Sequence, residues 1–136
     1  MNGLSGVEVV EAGGETLAFV IRADVQPSET TFVTPDDLTM QAGFVVYPAG
    51  GEVARHLHKP LPRSIVGTGE VLLVRRGKCE VELYDADRRL AARRTLAAGD
   101  VIVLVSGGHG FTMLEDTVLL EVKQGPYTGL DEKERF

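Results

Sequence analysis

Short apolar runs separated by glycine turns are the feature that most constrains how this chain folds. The runs are rich in β-branched residues and recur about every 8–12 residues, a spacing typical of all-β sandwiches and barrels. The run 101–105, VIVLV, is apolar throughout and predicts a strand that is covered on both faces. In the run 78–85, Cys79, Val81 and Leu83 alternate with charged residues, which predicts one buried face. The sequence therefore predicts an all-β fold.

The predicted strands follow one another along the whole chain. They are expected at 7–11, 16–22, 42–48, 52–58, 70–75, 78–85, 90–96, 101–105, 111–115 and 117–124. The strands 42–48 and 52–58 form a pair around a turn at 49–51, and the glycine cluster 107–110 interrupts the chain after the run 101–105. No linker or change of composition divides the 136 residues, so we expect one domain.

Charge and composition argue against several classes of function. The net charge of −6 and the pI near 5.0 argue against a general nucleic-acid binder and against binding to anionic membranes. No run approaches the ~18 apolar residues of a membrane span, and the N-terminal region lacks the features of a signal peptide. The one cysteine, Cys79, excludes an intramolecular disulfide and is typical of a reducing compartment. We therefore expect a cytoplasmic protein in which Cys79 is a buried strand residue.

Two of the three histidines, His56 and His58, stand one residue apart in a predicted strand. Alternate residues of a strand point to the same face, so the two imidazoles could reach one metal ion from a rigid scaffold. The alternative is a pair of solvated or hydrogen-bonded histidines. The third, His109, lies in SGGHGF, where glycines let the backbone turn sharply and approach closely. One site that uses all three histidines is the hypothesis, and three scattered surface residues are its alternative.

The histidine pair also belongs to the first of two motifs by which the chain resembles the cupins, a superfamily of small jelly-roll β-barrels. His56 and His58 match the two histidines of the motif, and Glu70 stands seven residues before Gly77, as the glutamate of the motif does. Eleven residues, 59–69, separate His58 from Glu70, where most cupins have three or four. This insertion has to loop out and return if Glu70 is to meet the histidines.

The second motif begins at Gly99. Gly107 takes the place of its inner glycine, and His109 is its histidine, one residue earlier than in the motif. Val105 stands where the motif has proline, and the asparagine of the motif is absent. The resemblance to the cupins covers roughly residues 44–122.

The resemblance implies a single-domain, cupin-type jelly-roll β-barrel (a double-stranded β-helix) over residues 1–136. N-terminal strands would occupy 1–43, the core with the two motifs 44–122, and a C-terminal tail 123–136. Within the core, the segment 67–85 is similar to cupins associated with sugar-nucleotide isomerases and polysaccharide biosynthesis. The resemblance also implies a homodimer, which is the commonest symmetric assembly.

A metal site is a further implication of the resemblance. His56, His58 and His109 would supply three nitrogen ligands, and Glu70 would supply one oxygen ligand. Such a set suits a divalent first-row metal, Fe, Mn, Ni or Zn, and leaves positions open for water or substrate. Because no thiolate is among the ligands, an open site is expected rather than a structural zinc site. For Glu70 the alternative is an ordinary carboxylate at a strand edge.

Basic and aromatic residues near the histidine pair are candidates for binding a small molecule, such as a sugar or a carboxylate. Arg63 could hold a carboxylate or phosphate by bidentate contact, and Lys59 could act as a point charge. Tyr47 could line the cavity of the barrel. The alternatives are a solvated basic strand edge and ordinary aromatic packing. No nucleophile–base–acid triad is evident, so catalytic residues stay unassigned.

Three functions remain open from the sequence. The first is a metal-dependent enzyme, either an isomerase or epimerase of a sugar or an oxygenase (dioxygenase) of a small acid. The second is a non-catalytic cupin that binds a ligand, and the third is a structural module in which the histidines are incidental. Since one barrel hosts many unrelated functions, the fold does not decide among them.

Overall fold

Two antiparallel sheets and a small ribbon form the body of the protein in a computed structural model that describes residues 4–136. The first three residues, part of the N-terminal region predicted at 1–43, lie outside the described residues. The strands are, in chain order, β1 (Val7–Ala12), β2 (Glu15–Ile21), β3 (Thr31–Phe32), β4 (Gly43–Phe44), β5 (Glu70–Arg76), β6 (Lys78–Tyr84), β7 (Leu90–Ala97), β8 (Val101–Leu104), β9 (Gly108–Met113) and β10 (Val118–Lys123), followed by a 3₁₀ turn at Gly129–Glu132. The fold is all-β, as predicted. None of the described helical segments is long and apolar enough to cross a membrane.

The larger sheet has the strand order β1-β2-β8-β5-β10, and the smaller sheet has the order β7-β6-β9. The strands β3 and β4 form a separate ribbon. On one side the sheets meet where β1 and β7 lie together, and the guanidinium of Arg94 donates two hydrogen bonds to the carboxylate of Glu8, of 2.8 and 2.5 Å. On the other side β10 and β9 end their sheets, so residues 4–136 form no closed barrel.

The main core fills the space between the two sheets. Every second residue of β6, beginning with Cys79, is fully buried, as the alternation in the sequence predicts. The buried residues of this core come from both sheets: Val10, Leu17, Ala18, Val20, Leu72, Val74, Cys79, Val81, Leu83, Leu96, Ile102 and Leu104. Burial of this apolar surface is the principal stabilising contribution to the fold.

A second core lies on the outer face of the larger sheet. Phe19, Ile21 and Val103 are buried there under Val25 and Val33, from the part of the chain that leads into and through β3. Strand β8 therefore has apolar neighbours on both faces, because its other residues point into the main core. This is the environment that its uninterrupted β-branched run predicts.

The predicted strand pair at 42–48 and 52–58 is not formed, and this prediction was wrong. Strand β4 ends at Phe44, and residues 45–69, which we call the connecting segment, contain no strand. The predicted turn is present, since the amide of Gly51 donates to the carbonyl of Pro48 at 2.9 Å. Local alternation is not sufficient for a strand, because a strand also needs a partner whose backbone hydrogen bonds stabilise it.

Both ends of the connecting segment are held by side chains of its own chain. The amide of Val46 donates to Oγ1 of Thr30 at 3.0 Å, and the amide of Gly69 donates to Oε1 of Gln124. Between these anchors the segment is exposed to solvent along nearly its whole length. It therefore leaves the body of the fold after one anchor and returns at the other.

The glycine cluster 107–110 also differs from the prediction. Gly107 alone makes the turn, with φ of +74° and its α-carbon packed against the carbonyl of Tyr84. Strand β9 begins at the next residue and pairs with β6, with His109 opposite Leu83. His109 therefore lies on a strand and not in a break between strands.

Asp100, in the turn between β7 and β8, should be a stabilising residue. Its buried carboxylate accepts hydrogen bonds from the amides of Ala23 and Ala97, at 2.8 and 2.9 Å, and from Arg22 at 3.2 Å. Asp100→Ala leaves the two amides unpaired and is expected to lower the free energy of unfolding by about 2–3 kcal/mol. Urea titration followed by circular dichroism measures this change.

Asp87→Ala is the control for that substitution. The carboxylate of Asp87 pairs with Arg89 at 2.7 Å, but 72% of the aspartate side chain is exposed. Exposed pairs contribute little, so a change below about 0.5 kcal/mol is expected. Equal effects of the two substitutions would show that the hydrogen bonds of Asp100 do not stabilise the turn.

Candidate metal site

Glu70 and His109 lie together at one end of the interior between the two sheets. Glu70 begins β5 and continues its inward-facing row, in which Leu72 and Val74 are buried. His109 pairs with the inward-facing Leu83 across β9 and β6 and shares its face of the sheet. Nε2 of His109 lies 3.5 Å from Oε2 of Glu70, and the side chains are 32% and 12% exposed. The apolar interior thus ends in a carboxylate beside an imidazole.

The surroundings of this pair shift the pKa values of both groups. Burial raises the pKa of Glu70, and a hydrogen bond with Glu121 and the negative charge of Glu121 raise it further. Burial also lowers the pKa of His109, against the opposing effect of Glu121. The imidazole is therefore neutral near pH 7, which is the form that ligates metal ions.

A cavity of about 800 Å³ opens beside Glu70 and His109, and the C-terminal residues 132–136 form part of its wall. The ring of Phe136 packs edge-on against Tyr84, with centroids 5.1 Å apart, and lies under the guanidinium of Arg88 at 5.2 Å. These contacts hold the end of the chain against the outer face of β6. The cavity is large enough for a small-molecule ligand.

His56 and His58 lie apart from this pair, on the exposed connecting segment. Their ring centroids are 5.2 Å apart, with the ring planes at 71°. Nδ1 of His56 is 2.8 Å from the carbonyl oxygen of Ala54, and donation by Nδ1–H would leave Nε2 free to ligate. Among residues 4–136, no group of three or more His, Cys, Asp or Glu side chains is placed to hold a metal ion. The structure thus brings together two of the four predicted ligands, Glu70 and His109.

The predicted ligand-binding residues accompany the histidine pair. Lys59, Arg63 and Tyr47 are all exposed on the connecting segment, and none of them lines the cavity beside Glu70. The predicted site is therefore divided in two. One half lies on the strands, and the other lies on the connecting segment.

Three charged residues near Glu70 were not assigned to the site from the sequence, namely Glu121, Lys123, which pairs opposite Glu70, and Lys133. Glu121 shares the inward face of β10 with Leu119, which packs against the main core, so strand alternation could have identified it. Lys133 lies in the wall of the cavity, and its charge lowers the pKa values of Glu70 and His109. No sequence pattern points to Lys133, because it belongs to an irregular tail.

Comparison of the chain with protein-family models, with curated proteins and with solved structures finds no match. The function of the site therefore has to be inferred from the chemistry of its own residues.

Glu70→Gln is expected to stabilise the metal-free protein at neutral pH. The pKa of Glu70 is higher in the folded protein than its ordinary value of 4.5. The contribution of Glu70 to the free energy of unfolding is therefore complete below pH 4.5, and it is lost as the pH rises through the pKa of the folded state. A neutral amide escapes this loss. Urea titrations with chelator between about pH 5 and pH 8 should show an advantage of the variant that grows with pH.

Glu11→Gln, which removes one exposed carboxylate from the end of β1, is the matched control. Subtracting the change in the free energy of unfolding for Glu11→Gln from that for Glu70→Gln leaves the part that is due to the surroundings of Glu70. If the stability of Glu70→Gln relative to the wild type stayed constant or decreased as the pH rises, the raised pKa of Glu70 would be contradicted.

Proposed function

We propose that the protein is a cupin-type metalloprotein that binds one divalent first-row metal ion through His56, His58, His109 and Glu70. The observation that carries the proposal is the contact between Glu70 and His109, 3.5 Å apart at the polar end of an apolar interior. Burying a carboxylate beside a second carboxylate is unfavourable, and such arrangements concentrate at functional sites. A divalent cation would offset this cost.

The donor atoms suit such an ion. His109 is neutral near pH 7 because burial lowers its pKa, and Glu70 offers a carboxylate oxygen. His56 and His58 add two imidazoles whose rings already lie side by side. Three nitrogens and one oxygen are a common ligand set for Fe, Mn, Ni and Zn.

In this proposal the two sheets are the halves of a jelly-roll barrel. The strands missing from a closed barrel would come from residues 45–58, which include the turn at 48–51 and carry the H-x-H sequence. The free ends of the two sheets at β10 and β9 support this assignment, because they leave room for one added strand each. Pairing there would carry His56 and His58 toward Glu70 and His109.

A bound divalent metal would act as a Lewis acid toward an oxygen atom of a small ligand. The cavity of about 800 Å³ beside Glu70 would hold that ligand and limit its contact with water. Arg63 and Lys59 would bind an anionic group on the ligand, with Tyr47 packing beside it. Isomerisation or epimerisation of a sugar and oxygenation of a small acid are the proposed reaction classes, and a non-catalytic ligand-binding cupin is the alternative.

Metal content tests the binding function directly. Wild-type protein incubated with Fe²⁺, Mn²⁺, Ni²⁺ or Zn²⁺ and desalted should retain about one ion per chain of at least one metal by plasma mass spectrometry. His109→Ala and the double variant His56→Ala/His58→Ala should lose it. Glu70→Gln should weaken binding at least about tenfold, since it removes a ligand.

Glu82→Gln is the matched control, because Glu82 lines the same cavity but is not a proposed ligand. This variant should retain the wild-type metal content. A wild-type protein that retains none of the four metals would overturn the proposed function. A loaded protein that turns over neither sugars nor small acids would leave the non-catalytic alternative.

A further inference from the structure

We infer that the connecting segment, residues 45–69, pairs with a second copy of this chain and delivers His56 and His58 to the Glu70–His109 pair of that copy. The inference rests on the proposed metal site and extends it by dividing the ligands between two chains. Each site would take two imidazoles from one chain and an imidazole and a carboxylate from the other. A dimer would contain two such sites.

The first argument is the pair of free sheet edges. Within residues 4–136, β10 ends the larger sheet and β9 ends the smaller sheet, each with a neighbouring strand on one side only. Glu70 pairs with Lys123 of β10, and its Oε2 lies 3.5 Å from Nε2 of His109 on β9, so both edges lie beside the Glu70–His109 pair. A free edge presents amide and carbonyl groups that an added strand can pair with. Two such edges can receive the two strands of one hairpin.

The second argument is the connecting segment itself, which has the sequence of such a hairpin. Its apolar alternation predicts two strands, and the turn between them is already formed by Pro48 and Gly51. Its large apolar side chains are left in solvent, with Leu57 80% exposed. The others are Val45, Tyr47, Val53, Leu61, Ile65 and Val66. An exposed set of this kind marks a surface that binds another protein surface.

The third argument is that the receiving surface is also apolar. Leu120 and Val122 of β10 are 48% and 59% exposed on the outer face of the larger sheet. Val122 lines an apolar groove of about 390 Å³ together with Phe44, Val71 and Val101. Covering this groove and the exposed side chains of the segment in one contact would remove both from water.

Charge favours the same pairing. The segment carries Arg55, Lys59 and Arg63 against the single acid Glu52, whereas the whole chain has a net charge of −6. The polar end of the interior holds the carboxylates of Glu70 and Glu121. Lys123 and Lys133 lie there as well, so the complementarity is between the basic segment and the net negative charge of the rest of the chain, and it favours association of two copies.

A second copy, rather than the segment's own sheets, is the partner that the geometry favours. Val46 and Gly69 tie the segment to its own chain, and none of residues 45–69 forms a strand that pairs with β9 or β10. An identical chain presents the same two edges, so two segments can exchange reciprocally about a two-fold axis. The 25 residues of the segment are comparable to the 20–30 that one side of a standard interface contributes.

Mixed dimers test the exchange. One chain carries His56→Ala/His58→Ala and the other carries Glu70→Gln/His109→Ala, each with a different tag that does not bind metal. Co-expressed heterodimers are isolated by two affinity steps, and their metal is counted. Exchange predicts one intact site per heterodimer, so the heterodimer should hold half the metal of the wild-type dimer. Neither variant should bind metal by itself. A metal-free heterodimer beside a fully loaded wild type would overturn the exchange, and so would a monomeric wild type.

A second measurement does not depend on metal. Lys59 is the one lysine of the segment, and Lys123 and Lys133 lie beside Glu70. Chains labelled with ¹⁴N and ¹⁵N are unfolded together, refolded and treated with a lysine cross-linker. Exchange predicts that the Lys59–Lys123 and Lys59–Lys133 products include mixed-isotope peptides. Products of uniform isotope only would mean that the segment closes on its own chain, which overturns the inference.

The two measurements separate the two proposals. Mixed-isotope products from a wild type that holds no metal would support the exchange and overturn the proposed metal function. Uniform-isotope products from a metal-loaded wild type would overturn the exchange and support the proposed metal function.

Discussion

The burial of two sheet faces against each other is the interaction on which the rest of this structure depends. Leu72 and Val74 of the larger sheet and Val81 and Leu83 of the smaller sheet are almost completely removed from water in one shared core. Because hydrophobic burial is the dominant favourable term in folding, this shared core is the main source of stability. The connecting segment contributes none of the residues of either core. It can carry functional groups and still be exposed.

The same alternation that builds the core also places the polar pair. In β5 every second residue faces inward, and the first of them is Glu70 rather than another aliphatic residue. In β9 the inward position opposite Leu83 is His109. Strand alternation fixes the inward direction of these two side chains. The burial of the neighbouring apolar residues offsets the free-energy cost of their desolvation. The two strands thus place a carboxylate and an imidazole together at one end of the buried apolar core.

Local patterns could predict most of the strands but not how they pair. The alternation of β6 and the apolar run of β8 are properties of consecutive residues, and both were predicted correctly. The position of β8 between β2 and β5 depends on contacts between distant residues, which periodicity does not contain. For residues 42–58 local alternation predicted a hairpin, but only Gly43–Phe44 forms a strand, and its partner is the distant Thr31–Phe32.

The candidate site shows the same limit. Glu70 and His109 were selected as candidate ligands from a motif resemblance. Their separation of 3.5 Å results from the arrangement of β5, β6, β8 and β9, which local sequence does not specify. Glu121 was within reach of the alternation argument, because it shares a face with Leu119. Lys133 was not, since its place beside the cavity follows from the packing of Phe136 on Tyr84 at the far end of an irregular tail.

In the inferred dimer, a site divided between two chains would make metal binding and assembly one equilibrium. In the single chain Glu70 and His109 are held by paired strands, whereas His56 and His58 lie on a segment with no strand partner, so neither half can hold an ion as four ligands do. An ion that binds the dimer and not the separate chains stabilises the dimer by mass action. Dimerisation in turn raises the affinity for the ion. In the inferred dimer, the eleven residues between His58 and Glu70 would give the histidine-bearing segment the reach to leave its own sheets.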